Sequence, residues 1–367
     1  MPARKILILG KLPPPYMGPA LATKIILDSS LKDRYQLVHV DTKAYDQLTE
    51  LGKWSMKKFF RNLRIYFRML TTCIARRPDL VLVPISQATT GFLKDSLFIL
   101  IARMTGRRVL VQLRGSDFKT WLEKSPGWLK HYVAFILRRT DGVIVLGKSL
   151  RHLFEAYFPA EKIYVVPNGA DYNLSFSRKK NTVLKVLYLA NLQASKGIED
   201  VLDAVRILVS GGIRNFQLDV VGNWRTNETK ISCETIVREN NLPVIFHAAD
   251  AGKKKMEFLS QADVFVFPPR APEGHPWVIV EAMAAGLPVI STDRGAIAES
   301  ILDGKNGFIV PVRNPEAIAD RLQLLMADPS LREQMGRESR RLYEENFTEK
   351  KMVERLSETF EQVMASP

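Results

Sequence analysis

"DVFVFPPRAPEGHPWVIVEAMAAGLPVIST", residues 263–292, decides how this chain folds. The apolar run DVFVFPP (263–269) reads as a strand and passes into a loop. Pro276 suits the first turn of a helix, Trp277 to Ala285 is apolar on nearly every face, and LPVIST (287–292) is a second buried strand. Strand, loop, all-round apolar helix and strand belong to a parallel sheet covered on both sides. The segment nonetheless carries two carboxylates, Glu273 in the loop and Glu281 inside the helix, with seven residues between them. A buried carboxylate is costly unless something hydrogen-bonds it, so Glu281 needs a partner from the protein or from a ligand.

The same grammar runs outward in both directions. KILILG (5–10) ends in a glycine, is followed by a turn-rich loop and then by a helical stretch from about Leu21, the opening of a doubly wound unit. Further strands are expected at 35–41, 79–85, 108–115, 142–147 and 163–168, with helical intervals between most of them. The polar segment NLSFSRKKNT (173–182) reads as a linker, after which the pattern restarts at LKVLYLANL (184–192). A helix over 195–212 stops at Gly-Gly, and strands follow at 217–223, 244–248, 263–269 and 287–292. The 367 residues exceed one ordinary core. The expected organisation is a Rossmann-like domain over 1–172, a linker over 173–183, a second Rossmann-like domain over 184–327, and C-terminal helices over 328–367 packing back toward the first domain.

Composition narrows the function. Hydrophobic residues make up 46% of the chain, which excludes wholesale disorder, and the two cysteines, Cys73 and Cys233, stand outside any metal spacing. The start, MPARKILILG, is too short and strand-like for a signal peptide, and the apolar run LFILIA (97–102) falls far below the roughly 18 residues of a membrane span. The expected location is the cytoplasm, peripheral on the inner face of the cell membrane. Residues 1–170 hold 28 Lys+Arg against 12 Asp+Glu, and the remainder of the 53 and 39, 25 against 27, falls in 171–367. All the excess positive charge is in the first half, which points to an anionic surface or polymer facing that half alone.

In open parallel sheets ligands bind beyond the carboxyl ends of the strands, so two facing domains would hold a ligand in the cleft between them. The Glu273 loop lies at that edge, and the helix start near Gly274, His275 and Trp277 offers backbone N–H groups to an anion. A ligand touching both glutamates is extended, with hydroxyl groups at its two ends and negative charge between. A nucleotide sugar has that layout.

These features carry a resemblance. RGSDF (114–118), VVPNGAD (165–171), VLYLANLQASKG (186–197), PEGHPWVIVEAMAAGLPVI (272–290) and DGKNGFIVP (303–311) resemble the landmarks of retaining glycosyltransferases of the GT-B fold, glycosyltransferase family 4, over essentially the whole chain. The resemblance implies two Rossmann-like doubly wound parallel-sheet domains facing across a cleft, the first binding acceptor and the second binding the nucleotide sugar. It implies that Glu273 binds hydroxyls of the donor sugar, Glu281 the ribose hydroxyls, Lys196 the diphosphate, and that Gly18 lies in the loop closing over phosphate and acceptor. Where the family has arginine before that lysine this chain has Asn191, and where it often has histidine this chain has Arg114. Arg114, with Arg270 and Arg294 as further candidates, could supply the missing positive charge.

The expected catalytic set is therefore Glu273, Lys196 and Arg114. The donor-binding set is Gly18, Asn191, Lys196, Glu273, Gly274, His275, Pro276, Trp277 and Glu281. No Asp-x-Asp pair occurs, so no metal and no cofactor beyond the nucleotide-sugar substrate is expected. The expected reaction moves a sugar, from a UDP-sugar in preference, to a glycan or lipid-linked acceptor with retention of configuration, in cell-surface polysaccharide or glycolipid synthesis. The rival readings are a nucleotide-sugar epimerase of GT-B-like fold and a non-catalytic anionic-surface binding protein; nucleic acid is not expected as a partner. Residues 53–77, with eight Lys/Arg and no acid, put Lys57, Arg61, Arg64 and Arg68 on one helical face and Phe60, Leu63, Phe67, Leu70 and Ile74 on another. Such a helix is expected to lie on an anionic membrane surface.

Overall fold

The computed structural model describes residues 4–14, 17–43, 56–172, 174, 183–249 and 252–366. The chain separates into two compact units, residues 1–170 with 349–367, and residues 171–348. In the first, β1 (Lys5–Gly10), α1 (Gly18–Asp28), β2 (Gln36–Asp41), α2 (Met56–Arg76), β3 (Leu80–Ile85), α3 (Thr89–Met104), β4 (Arg108–Leu113), α4 (Phe118–Glu123), α5 (Gly127–Leu137), β5 (Gly142–Val145) and β6 (Ile163–Val165) follow one another. In the second come β7 (Leu184–Leu189), α6 (Ile198–Ser210), β8 (Phe216–Val221), α7 (Asn227–Glu239), β9 (Val244–His247), α8 (Lys253–Gln261), β10 (Val264–Phe267), α9 (Trp277–Ala284), β11 (Val289–Ser291) and β12 (Gly307–Ile309). Three helices close the chain: α10 (Pro315–Ala327), α11 (Pro329–Asn346) and α12 (Glu349–Ala365).

Among the described residues each unit has one six-stranded sheet, ordered β2-β1-β3-β4-β5-β6 and β12-β11-β10-β7-β8-β9. All the strand pairings are parallel, as the continuous apolar runs require. The two α/β sheets bear out the expected fold class. In each sheet the winding reverses once, between β1 and β3 and between β7 and β10. At such a switch point the loops leaving two adjacent strands diverge and open a crevice.

The helix of the opening segment, α9, buries Trp277, Ile279, Val280, Glu281, Ala282, Met283 and Ala284. It ends in a Schellman turn: Gly286, at φ 65°, donates to Met283 O and Leu287 donates to Ala282 O. Pro288 and β11 follow immediately, so glycine sets where the helix stops and the next strand starts.

The stretch 328–367, read from sequence as one C-terminal segment, divides between the units. Helix α11 packs on α9, where Arg340 Nη1 donates to Ala284 O at 2.5 Å. Helix α12 joins the first unit, setting Met352, Val353, Leu356, Phe360 and Val363 against Ile6, Ile8, Leu80, Leu82, Leu110 and Ile144. Tyr35 meets Phe360 edge-on at 5.9 Å and donates to Glu361 Oε1 at 2.7 Å. Of the expected linker, residues 173 and 175–182 lie outside the described residues.

Candidate functional site

The crevice of the second unit is built from two loops. Lys196 stands in the loop between β7 and α6, and Glu273 in the loop between β10 and α9, so adjacent strands at the switch point deliver a cation and an anion to one place. Lys196 Nζ forms an ion pair with Glu273 Oε1, and the two side chains are 23% and 13% exposed. Tyr188, wholly buried in β7, donates its hydroxyl to Lys196 O at 2.9 Å, and the Phe267 ring lies 5.9 Å from Nζ.

Backbone contacts fix the Glu273 loop from both sides. Ser195 O accepts from Arg270 N at 3.0 Å and from Ala271 N at 3.1 Å, while Ala296 N donates to Gly274 O at 2.9 Å. Two glycines permit this approach. Gly197 has φ +77°, and a Cβ there would stand 2.0 Å from Pro268 O; Gly295 has φ +64°, and its Cβ would stand 1.6 Å from Glu273 O. Any other residue at these positions would carry backbone strain and also push the loop away.

Glu281 is 1% exposed, one turn along α9. Its partner, left open by the sequence, is Lys255 of α8, whose Nζ lies 2.5 Å from Oε1. The other oxygen, Oε2, and the Tyr172 hydroxyl are both buried without a well-formed hydrogen bond, although Tyr172 and Glu281 interact as a hydrogen-bonding pair. The two groups still feel each other: burial and the Glu281 charge raise the Tyr172 phenol well above its ordinary range, and Tyr172 pulls Glu281 slightly back. Burial pushes both carboxyls up, Glu273 against the pull of Lys196 and Glu281 against that of Lys255.

The arginines sort themselves by their neighbours. Arg270 forks onto Asp200, with Nε–Oδ2 at 2.9 Å and Nη2–Oδ1 at 2.7 Å, and reaches Glu199 at 2.6 Å. Those bonds hold its pKa above the ordinary arginine value and leave its charge neutralised, so it is not a ready phosphate ligand. Arg294, beside Gly295, has a buried Nε with no hydrogen-bond partner. In the first unit Arg114 donates to Asn168 Oδ1 at 3.3 Å, and burial lowers its pKa to about 10.

His275 turns inward, bonding Ser300 Oγ at 2.8 Å and lying 5.1 Å from the Phe347 ring, so its side chain shapes the loop. Pro276 caps α9 and Trp277 is buried in its first turn; no side chain caps this helix and no acid stands in its first turn. No acid of its own first turn stands at its positive end, unlike that of α6, which carries Glu199 and Asp200. Asn191 and Gly18 are exposed, Gly18 opening α1 in the first unit. The sequence reading missed Lys255 and Tyr172. Nothing in the run Lys253–Lys255 marks which lysine meets a carboxylate 26 residues on. Among the described residues no group of three or more His, Cys, Asp or Glu could hold a metal ion.

Comparison with known proteins supports the same reading of both halves. Residues 173–342 match the model of glycosyl transferases group 1, and residues 33–174 match that of glycosyltransferase family 4. The capsular polysaccharide biosynthesis glycosyltransferase CapM of Staphylococcus aureus is 28% identical over 263 residues, 65% of this chain and 67% of that protein. N-acetyl-alpha-D-glucosaminyl L-malate synthase of Bacillus anthracis is 26% identical over 269 residues, 69% of this chain and 68% of that protein. The crystal structure of Anabaena HepE in complex with UDP and glucose superposes with a TM-score of 0.75 at 18% identity, covering 98% of this chain and 100% of that one.

Replacing Gly295 with alanine is expected to cost about 1–3 kcal/mol or more, from strain plus the clash with Glu273 O, measured by urea unfolding. Gly304, at φ +74° with nothing within 4 Å of its would-be Cβ, is the control for backbone strain alone. Equal losses in Gly295→Ala and Gly304→Ala would show that the close approach to Glu273 contributes nothing.

Proposed function

From the premise that this chain is a glycosyltransferase of the GT-B fold, with a family 4 domain and a group 1 domain, we propose that it transfers a sugar from a UDP-sugar to a glycan or lipid-linked acceptor with retention of configuration. The process served is the synthesis of a cell-surface polysaccharide or glycolipid, by analogy with the capsular polysaccharide named for CapM, and the UDP in the HepE structure favours a UDP-sugar donor. The observation that carries this reading is the Lys196–Glu273 pair at the switch point, beside a helix start with no acid in its first turn.

Each part has a task in that chemistry. Departure of a nucleoside diphosphate concentrates negative charge on the leaving phosphate, so fixed cations and N–H groups aimed at it stabilise the transition state. Lys196 would meet the diphosphate by exchanging its single bond to Glu273 for the phosphate, where Arg270 would have to release two carboxylates. The loop around Gly274 ahead of α9 would meet it too, with Arg294 the arginine whose buried Nε has no hydrogen-bond partner. Glu273 would accept hydroxyls of the donor sugar. Glu281 would accept the ribose hydroxyls, and since Lys255 holds Oε1 and Tyr172 also interacts with the carboxylate, ribose reaches it by taking the place of one of them. Retention follows from a front-face substitution in which the leaving phosphate and the attacking hydroxyl share one side of the sugar. The first unit, with Arg114 and the exposed Gly18 loop, would take the acceptor. Residues 53–77 would bring it to an anionic membrane, and no helix among the described residues is long and apolar enough to cross one.

Neutral isosteres separate the two carboxylates. Glu281→Gln is expected to raise KM for UDP-sugar roughly ten- to hundredfold with kcat little changed, because ribose contacts are alike in ground and transition states. Glu273→Gln is expected to lower kcat about a hundredfold, because sugar contacts also align the reacting carbon. UDP release, followed by a coupled assay across UDP-, GDP- and ADP-sugars, measures both; equal and negligible effects would sink the assignment. The pH profile follows from the sign of the shifts. Both carboxylates act ionised and both are raised, so kcat/KM falls on acidification at a pH above the ordinary carboxylate range, and that limb moves down in Glu281→Gln. Turnover is expected to survive EDTA unchanged; a strict need for added manganese would refute the metal-free mechanism.

A further inference from the structure

The first unit treats its two helical layers differently. One is sealed by α12, as described above. On the other, α2 packs against α3, where Tyr66 donates to Lys94 O at 3.2 Å, and α3 packs against α5, where Ser96 and Tyr132 meet at 2.8 Å. Among the described residues of this unit, every large apolar side chain that is exposed stands on one of these three helices. In the second unit the exposed ones, such as Ile207, Ile231 and Leu324, are scattered singly over different elements.

The exposure follows the helical period. On α2, Ile65, Met69 and Cys73 are buried, whereas Leu63, Phe67 and Ile74 are 54%, 67% and 58% exposed and share a second stripe. At 3.6 residues per turn, Arg64 and Arg68 fall between these two stripes, on the flank away from the Tyr66 contact with α3. On α3 the exposed apolar residues are Leu97 and Met104, two turns apart, and on α5 they are Trp128 and Phe135, with the Arg139 guanidinium 3.4 Å from the Phe135 ring. Asp95, the acid of α3, points inward onto Ser86, and neither α2 nor α5 contains an acid. The side chains of Lys57, Lys58 and Phe59 lie outside the described residues.

We propose that the outward sides of α2, α3 and α5 together form one docking surface for an anionic lipid leaflet, with Phe67 of α2, Met104 of α3 and Trp128 of α5 entering the headgroup region. The charge selects this occupant: α2 alone carries six Lys/Arg and no acid, and arginines flank the apolar stripes where phosphate groups would lie. A tryptophan, with an apolar ring and a polar N–H, suits the boundary between headgroups and acyl chains. The inference rests on the reading of the acceptor as membrane-borne and extends the surface beyond α2 to two further helices.

The test is co-sedimentation of the full chain with vesicles of phosphatidylcholine containing phosphatidylglycerol, against phosphatidylcholine alone. Binding to the anionic vesicles alone is expected, and it should weaken as salt shortens the Debye length to about 8 Å near physiological ionic strength. Reversal at Arg64→Glu with Arg68→Glu should reduce partitioning at least about fivefold per charge. Met104→Ser with Trp128→Ser, off α2 entirely, should reduce it about tenfold while leaving the melting curve unchanged. Equal binding to neutral vesicles, wild-type binding by the Met104→Ser/Trp128→Ser variant, or self-association in vesicle-free buffer that Phe67→Ser abolishes would each overturn the proposal. UDP release with a water-soluble acceptor is read in parallel. Its loss with vesicle binding intact would refute the catalytic reading and not the surface, and the reverse pattern would refute the surface alone.

Discussion

The ion pair between Lys196 and Glu273 is the interaction around which the crevice of the second unit is organised. A lysine and a glutamate removed from most of the solvent hold each other only where two loops converge, and the sheet makes them converge by reversing its winding between β7 and β10. The pair needs both loops held in place. Backbone hydrogen bonds from Ser195 and Gly274 do this, and they reach because Gly197 and Gly295 present no Cβ to the carbonyls facing them. Stability alone gives little reason to keep such a pair, since apolar residues of similar size would serve as well or better. A ligand that needs a fixed cation and a fixed acceptor a few ångströms apart, as in the proposed donor site, would supply one.

Glu281 follows the same logic at greater depth. Full burial raises its pKa although Lys255 touches one oxygen, so a single lysine does not repay the loss of hydration. The same carboxylate interacts with the buried Tyr172 phenol. Two coupled buried polar groups that lack well-formed hydrogen bonds leave capacity for a better partner, a condition under which a polyhydroxyl ligand binds with selectivity over apolar ones.

How much of this was legible beforehand depended on the range of the interaction. The strands were readable because both faces of each sheet are covered, so the runs are continuously apolar, as at Leu80 to Val83. The stop of α9 was readable because Gly286 and Pro288 are local signals. Glu281 was readable as a problem, since a carboxylate in an apolar helix demands an answer, but Lys255 was not readable as the answer, because the contact crosses from α8 to α9 and three adjacent lysines look alike in sequence. Arg270 and Arg294 were equivalent candidates for the same reason; Asp200 and Glu199 decide between them, and they arrive from a helix some 70 residues earlier in the chain. The break between α11 and α12 carries no glycine or proline, so tertiary packing onto α9 and onto the first sheet sets it.

The economy of the first unit completes the argument. Its sheet has two faces, and the chain covers one of them with its last helix, brought back across the whole length of the sequence to place Phe360 against Tyr35 and the strands. A protein that closes one layer so thoroughly has the means to make the other layer polar. Yet α2, α3 and α5 keep phenylalanine, methionine and tryptophan outward, at the heptad spacing that repeats one face, and surround them with arginine rather than with the mixed charges of an ordinary solvated helix. In water each such side chain adds aggregation risk and no stability. The pattern suits an occupant that is apolar within and anionic at its surface, which is the one proposed above.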